Sequence, residues 1–228
     1  MRGKVLVVGL GGLGSPATSG LVRAGVGTVG IVDGDKLEIS NLHRQSLYTK
    51  KDLGKYKADA AGKYLNSVGA NTKIIKYKQW LDENNARKII KQYDVVLDCC
   101  DNFVTRYTLN KICCTLGKPL VHGAVFGWEG EMMTILPSKT ACYRCLFPDP
   151  PPATALKKRA ANGIIGFVPG TIGALQAAEA VKILLGEKGL LTDRLLLFNF
   201  LAMKPRVVKI QKKKSCPDCG RRIIKKLT

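Results

Sequence analysis

Residues 5–17 read VLVVGLGGLGSPA, an apolar run followed by a loop that carries Gly9, Gly11, Gly12 and Gly14. A strand feeding a glycine loop and then a helix is suited to phosphate, because small residues let backbone N–H groups approach the anion at the helix N-terminus. Gly9, Gly11 and Gly14 fit the Gly-x-Gly-x-x-Gly spacing. Asp33 ends a second apolar run, TVGIVD, 19 residues beyond Gly14. There a carboxylate can accept hydrogen bonds from a ribose hydroxyl. Just past it, Asn41 and Arg44 offer an amide and a guanidinium to phosphate oxygens, and Lys57 follows on an alanine-rich segment. The stretch DCCDNFVTRYTLN (98–110) adds Asp101, whose carboxylate can hold Mg²⁺ on a triphosphate. Asn102 suits helix N-capping at least as well as ligand contact, and Arg106 suits either a ligand contact or a plain surface charge. NAD, FAD and ATP all use loops of this kind, so the glycine loop alone leaves the nucleotide open.

Four of the eight cysteines form two Cys-x-x-Cys pairs, Cys142/Cys145 in CYRC and Cys216/Cys219 in CPDC. Each pair can present two thiolates to one tetrahedral Zn²⁺. The separation of 70 residues between the pairs is too long for a compact ribbon. The metal should therefore pin the tail back onto the main domain, and four protein ligands make the site structural. Cys99, Cys100, Cys113 and Cys114 fall in a strand and a helix and read as small core residues. His43 and His122, the two histidines, stand alone and read as structural.

These groups must be positioned by an alternation of strands and helices. Strands are expected at 4–9, 28–33, 72–78, 94–99 and 119–125, with helices at 15–24, 54–68, 82–92 and 103–116 between them. That alternation predicts an α/β fold with a mostly parallel sheet. In such a sheet ligands sit outside the carboxyl ends of the strands, so the glycine loop, Asp33 and Asp101 should share one crevice. After Gly127 come EGEMMTILP, CYRC and a proline-rich stretch read as an exposed crossover. A helix is expected at 170–185 with Gly186 as its cap, then strands at 194–200 and 206–211. The expected organisation is a single domain over 1–228, comprising a nucleotide-binding part (1–126), a crossover with helix and late strands (127–210) and a zinc-anchored basic tail (211–228).

Composition narrows the partners. The 228 residues are 46% hydrophobic with a formal net charge of +20, which suits anionic partners. No apolar run of about 18 residues stands out as a membrane span, and no cleavable leader is read at the start. Paired cysteines at metal spacing point to the reducing cytosol. The basic tail lacks the interleaved aromatics that stack on bases, which argues against a nucleic-acid-binding module.

GLGGLGS, DGDxxExSNLHRQ, DNxxxR, CYRCLFPDPPP, the GxIGxLQAxEAxK helix and CPDCG occur in this order between about 5 and 220. Together they resemble the E1-like adenylyltransferases that activate sulfur carriers for thiamine and molybdopterin and form the adenylation domains of ubiquitin-activating enzymes. The resemblance implies a Rossmann-like E1 adenylation fold, binding of ATP and Mg²⁺, and transfer of AMP to a carboxylate with release of pyrophosphate. By position it implies catalytic roles for Arg44, Lys57 and Asp101. It assigns nucleotide binding to Gly9, Gly11, Gly12, Leu13, Gly14, Asp33, Asp35, Asn41 and Asn102, together with those three. It also implies a homodimer.

Two departures bear on the substrate. Relatives that activate sulfur carriers commonly hold a cysteine in the crossover, whereas here none lies between Cys145 and Cys216. The family usually has an N-terminal helix that lends an arginine to its partner subunit, and here Arg2 is the one arginine before the first strand. With the positive charge, these tilt the reading toward a small anionic carboxylate such as guanylylpyridinol. The alternative is the C-terminal glycine of a ubiquitin-like sulfur-carrier protein. In either case a separate sulfur donor or other nucleophile would take over the acyl-adenylate.

Overall fold

The computed structural model describes residues 2–69, 71–152 and 163–220. An eight-stranded sheet runs in the order β3-β2-β1-β4-β5-β6-β7-β8. Its first five strands in sequence are β1 (Lys4–Val8), β2 (Thr28–Val32), β3 (Lys73–Tyr77), β4 (Val95–Asp98) and β5 (Leu120–Phe126). All pairings among them are parallel. The others, β6 (Glu129–Ile135), β7 (Arg194–Asn199) and β8 (Lys204–Lys209), continue antiparallel. The expected α/β fold with a mostly parallel sheet is present. Strand β6, in EGEMMTILP, is an addition to the expected strands. It folds back on β5 through Gly127 and Trp128, with Gly127 at φ 54°, a conformation that glycine reaches without strain.

Helices α1 (Gly14–Arg23), α2 (Lys57–Val68) and α6 (Phe167–Leu185) cover one face of the sheet. The other face carries α3 (Ala86–Ile90), α4 (Phe103–Leu116) and the short α5 (Tyr143–Leu146). The strands β1 and β4 alternate between two cores. Val5, Val7, Val95 and Leu97 pack toward α1 and α6, while Leu6, Val8 and Val96 pack toward α4. Burial on both faces is why these parallel strands are continuously apolar. Each such side chain contributes about 1.5–3 kcal/mol by leaving water.

Three helix ends are set by local hydrogen bonds or backbone conformation. The Oδ1 of Asn102 accepts from the Thr105 amide at 2.8 Å and caps α4. Gly186 closes α6 in the left-handed region, as expected. The helix expected over 82–92 shrinks to Ala86–Ile90, because Asp82 accepts from the amides of Asn84 and Asn85 in a turn that holds residues 82–85 outside the helix. By length and composition α6 could cross a membrane, contrary to the expectation that no segment reaches that length. It packs on α1, β4, β5 and β6 and buries Gln176 and Glu179 against them, as a core helix does.

Candidate active site

Strand order reverses between β1 and β4, and the loops leaving these two strands diverge there. Such a switch point opens a crevice at the strands' carboxyl ends. The cavity found there has a volume of about 1100 Å³, just above the range of roughly 300–1,000 Å³ usual for ligand sites. Gly9, Gly11, Gly12, Leu13, Asp33, Asp35, Asn41, Arg44, Lys57, Asp101 and Asn102 all line it. Gly14 does not. It lies beneath the loop, where an added Cβ would collide with the Gly9 carbonyl oxygen. Gly9 itself has φ 91°, and a Cβ there would come within 2.6 Å of the Cys99 carbonyl oxygen. At Gly11 the nearest atom is 3.6 Å away, so the loop is tight underneath and open toward the cavity.

Side chains hold that loop in place. Asp33 accepts from the Leu10 amide at 2.8 Å with one carboxylate oxygen and from the Asp35 amide at 2.8 Å with the other. The Tyr48 hydroxyl donates to the Leu10 carbonyl at 2.9 Å. Burial raises the Asp33 pKa, opposed by the Lys57 charge and the two amide donors. Lys57 is buried and donates to Asp35 at 2.7 Å. Arg44 is tied back by a 3.0 Å bond to the Ser40 carbonyl. Gln45 is 2% exposed, and its Oε1 has no partner among the described residues. Asp101 is exposed at the cavity.

Beneath Asp101 lies a buried network that sequence reasoning missed. Asp98, at the end of β4, accepts from Arg106 Nε at 3.0 Å and contacts His122 Nδ1 at 2.7 Å. Arg106 Nη2 also donates to the Cys100 carbonyl at 2.7 Å. Arg106 is therefore not a surface charge. It is 6% exposed and fixes the backbone that presents Asp101. Burial alone would raise the Asp98 pKa, but the Arg106 charge and the His122 hydrogen bond outweigh it and hold the carboxyl well below the usual range. For His122, burial lowers the pKa, and hydrogen bonds with Asp98 and Glu131 reverse this to a net rise. Gln176 of α6 is a second missed residue. Its amide donates to the carbonyls of Asp98 at 2.8 Å and Val121 at 3.1 Å, tying the end of β4 to the adjacent stretch of β5. The only signal available was a glutamine amid the apolar residues of the LQAAEA helix.

The four paired cysteines meet on the α4 face. Sulfurs of Cys142, Cys145, Cys216 and Cys219 all lie within 4.8 Å of one another, close to the spacing that Zn–S bonds of about 2.3 Å impose on a tetrahedron. Soft donors in this arrangement fit Zn²⁺. Asn110 links the cluster to α4. Its Nδ2 donates to Asp218 at 2.7 Å and to Cys142 Sγ at 3.5 Å, and its Oδ1 accepts from the Tyr143 amide at 2.9 Å. The remaining cysteines are core residues as expected, with Cys99, Cys100 and Cys113 buried and Cys114 half-buried.

The ThiF family model matches residues 1–219. The chain belongs to the ThiF family. This ThiF-family chain is 44% identical over 224 residues to a sulfur carrier protein adenylyltransferase of Thermus thermophilus, covering 96% of itself and 83% of that relative. It is 43% identical over 223 residues to the adenylyltransferase and sulfurtransferase MOCS3 of Arabidopsis thaliana, of which it covers 48%. The chain thus spans about half the length of its MOCS3 relatives. Among solved structures, E. coli MccB with ATP superimposes with a TM-score of 0.84 at 22% identity, over 96% of this chain and 67% of that one. That likeness shows the fold, and the E1-like resemblance read from the motifs is borne out. The crossover residues 153–162 and the basic residues 221–228 lie outside the described residues.

Proposed function

We propose that this ThiF-family protein binds ATP with Mg²⁺ in the switch-point crevice and transfers AMP to the C-terminal carboxylate of a ubiquitin-like sulfur carrier, releasing pyrophosphate. The observation that carries the reading is the convergence of the glycine loop, Asp33, Arg44, Lys57 and Asp101 on one cavity. The open amides of the loop suit the phosphates, and the buried Asp33 suits the ribose. Arg44 and Lys57 supply positive charge where the phosphoryl oxygens gain negative charge as the carboxylate attacks the α-phosphorus. The attacking carboxylate is already ionised at neutral pH, so no general base is required. Asp101, exposed at the cavity, would hold Mg²⁺, which neutralises phosphate charge when bound. Zn²⁺ on the four cysteines is structural and takes no part in the chemistry.

The leaning toward a small anionic carboxylate finds no support among the relatives. The Thermus protein, named for adenylating a sulfur carrier, is matched over most of its length, and this favours the carrier. With no cysteine between Cys145 and Cys216, the product is the acyl-adenylate, which passes to a separate sulfur donor. A homodimer is the expected assembly, to be checked by light scattering at micromolar concentration. The main test is ATP–pyrophosphate exchange with a Gly-Gly-ended carrier or with guanylylpyridinol. Exchange only with the carrier supports the proposal, and exchange only with the small molecule overturns its substrate. Arg44→Ala and Asp101→Ala should each lower exchange roughly 10- to 150-fold, the cost of a lost charge-assisted contact. Near-normal exchange in both variants would remove these residues from the mechanism.

A further inference from the structure

Past the ribose-binding Asp33, the cavity continues toward the end of β3, where Trp80 stands 57% exposed on its wall. The face of an indole lining a cavity is a sequence-tolerant platform for a planar ring. Three features show that its position is built. The ring lies against Gly34, where an added Cβ would come within 2.9 Å of three ring atoms. The Trp80 carbonyl accepts from Asn85 Nδ2 at 2.8 Å. Asn85 Oδ1 in turn accepts from the Asp82 amide at 3.1 Å, closing the turn after the tryptophan. The indole is thus backed by Gly34, the turn that carries it is fixed by Asn85, and Trp80 lines the cavity.

Direction then decides what meets it. With phosphates on the loop after β1 and ribose on Asp33 after β2, a nucleoside triphosphate runs across the strand ends toward β3, the next strand in the sheet. The segment Gln79–Trp80–Leu81 lines the cavity at that end, where the base of such a nucleotide would fall. We propose that Trp80 is the base-stacking platform of the nucleotide site, a positioning residue that sets affinity for the nucleobase and does no chemistry. This role rests on ATP being the nucleotide bound in the crevice.

The experiment uses the full chain in a Trp128→Phe background, which leaves Trp80 as the single tryptophan. ATP with Mg²⁺ should quench its fluorescence on binding, whereas tripolyphosphate, which has no base, should bind without comparable quenching. By calorimetry Trp80→Ala should weaken ATP about 5- to 150-fold, the usual cost of losing one base–aromatic stack. Tripolyphosphate affinity should stay unchanged, and Trp80→Phe should recover most of the loss. In exchange kinetics the change should fall on the KM for ATP, with kcat little altered. Trp80→Ala that binds ATP like its parent, or loses ATP and tripolyphosphate equally, overturns the stacking role while leaving the adenylyltransferase reading in place. A parent protein that binds no ATP overturns both.

Discussion

Arg106→Ala tests the buried network under Asp101 most directly. The guanidinium is 6% exposed, makes a 3.0 Å ion pair with Asp98 and a 2.7 Å bond to the Cys100 carbonyl, and packs over the Phe103 and Tyr143 rings. Removing one partner of a buried pair typically costs 3–5 kcal/mol, since the other charge stays buried. Here Asp98 keeps His122 at 2.7 Å, so the lower part of that range applies, about 3–4 kcal/mol. In a chain of this size each kcal/mol lowers Tm by roughly 2–4 °C, giving an expected drop of roughly 6–16 °C. The exposed pair Lys111–Glu83, 56% and 70% exposed, serves as the contrast, and Lys111→Ala should cost less than about 1 kcal/mol. Calorimetric melting of both variants, with ATP titrations at a temperature where both are folded, separates stability from binding. ATP affinity should also fall in Arg106→Ala, because residues 100–102 lose their anchor. Arg106→Lys should fall between, keeping the charge but not both contacts. An Arg106→Ala protein that melts within about 2 °C of its parent would refute the reasoning.

Cys216→Ser should lower bound zinc from one per chain and reduce stability more than ATP affinity. Undiminished zinc by metal analysis would contradict the four-cysteine site. Folding raises the His122 pKa above 6.5. Its protonated form therefore stabilises the fold fully below about pH 6.5, and that stabilisation is lost as pH rises through the higher folded value. The groups facing it are Asp98, Glu131, Arg106 and Tyr143, and urea midpoints for parent and His122→Gln should converge as pH rises from 6 to 9. Parallel midpoints would exclude the effect. Lys57→Met should weaken ATP binding about 10- to 150-fold, and an unchanged dissociation constant would exclude Lys57 from the phosphate site.

How much was legible in the sequence depends on which interactions are local. The glycine loop, Asp33 and the Cys-x-x-Cys pairs announce themselves because their chemistry needs fixed short spacings. Helix α4 could be bounded at both ends, since Asn102 and Gly117 act on adjacent backbone. Arg106 could not be placed, because its partner Asp98 lies on another element and DVVLDC reads as an ordinary strand end. Strand β6 escaped for a similar reason. Glu129 and Glu131 interrupt its apolar pattern, and its Met132–Ile135 stretch is buried by distant elements, through pairing with β5 and β7 and packing in the two cores. Trp80 gave no signal at all, as its exposure depends on how β3 ends against Gly34.

The cysteine cluster also orders events in time. Cys142 and Cys216 are 74 residues apart, and α6, β7 and β8 all lie between them. A chain emerging from the ribosome therefore completes the five parallel strands first, and the four cysteines can come together only once the helix and the antiparallel wing have been made. Closing a loop of that length removes about 4 kcal/mol of chain entropy from the unfolded ensemble, if a metal clasp behaves as a covalent cross-link does. Zinc would then act as a late latch, and starving cells of zinc during synthesis should trap chains with a folded nucleotide half and an unlatched wing. Limited proteolysis would find these as a protected N-terminal fragment.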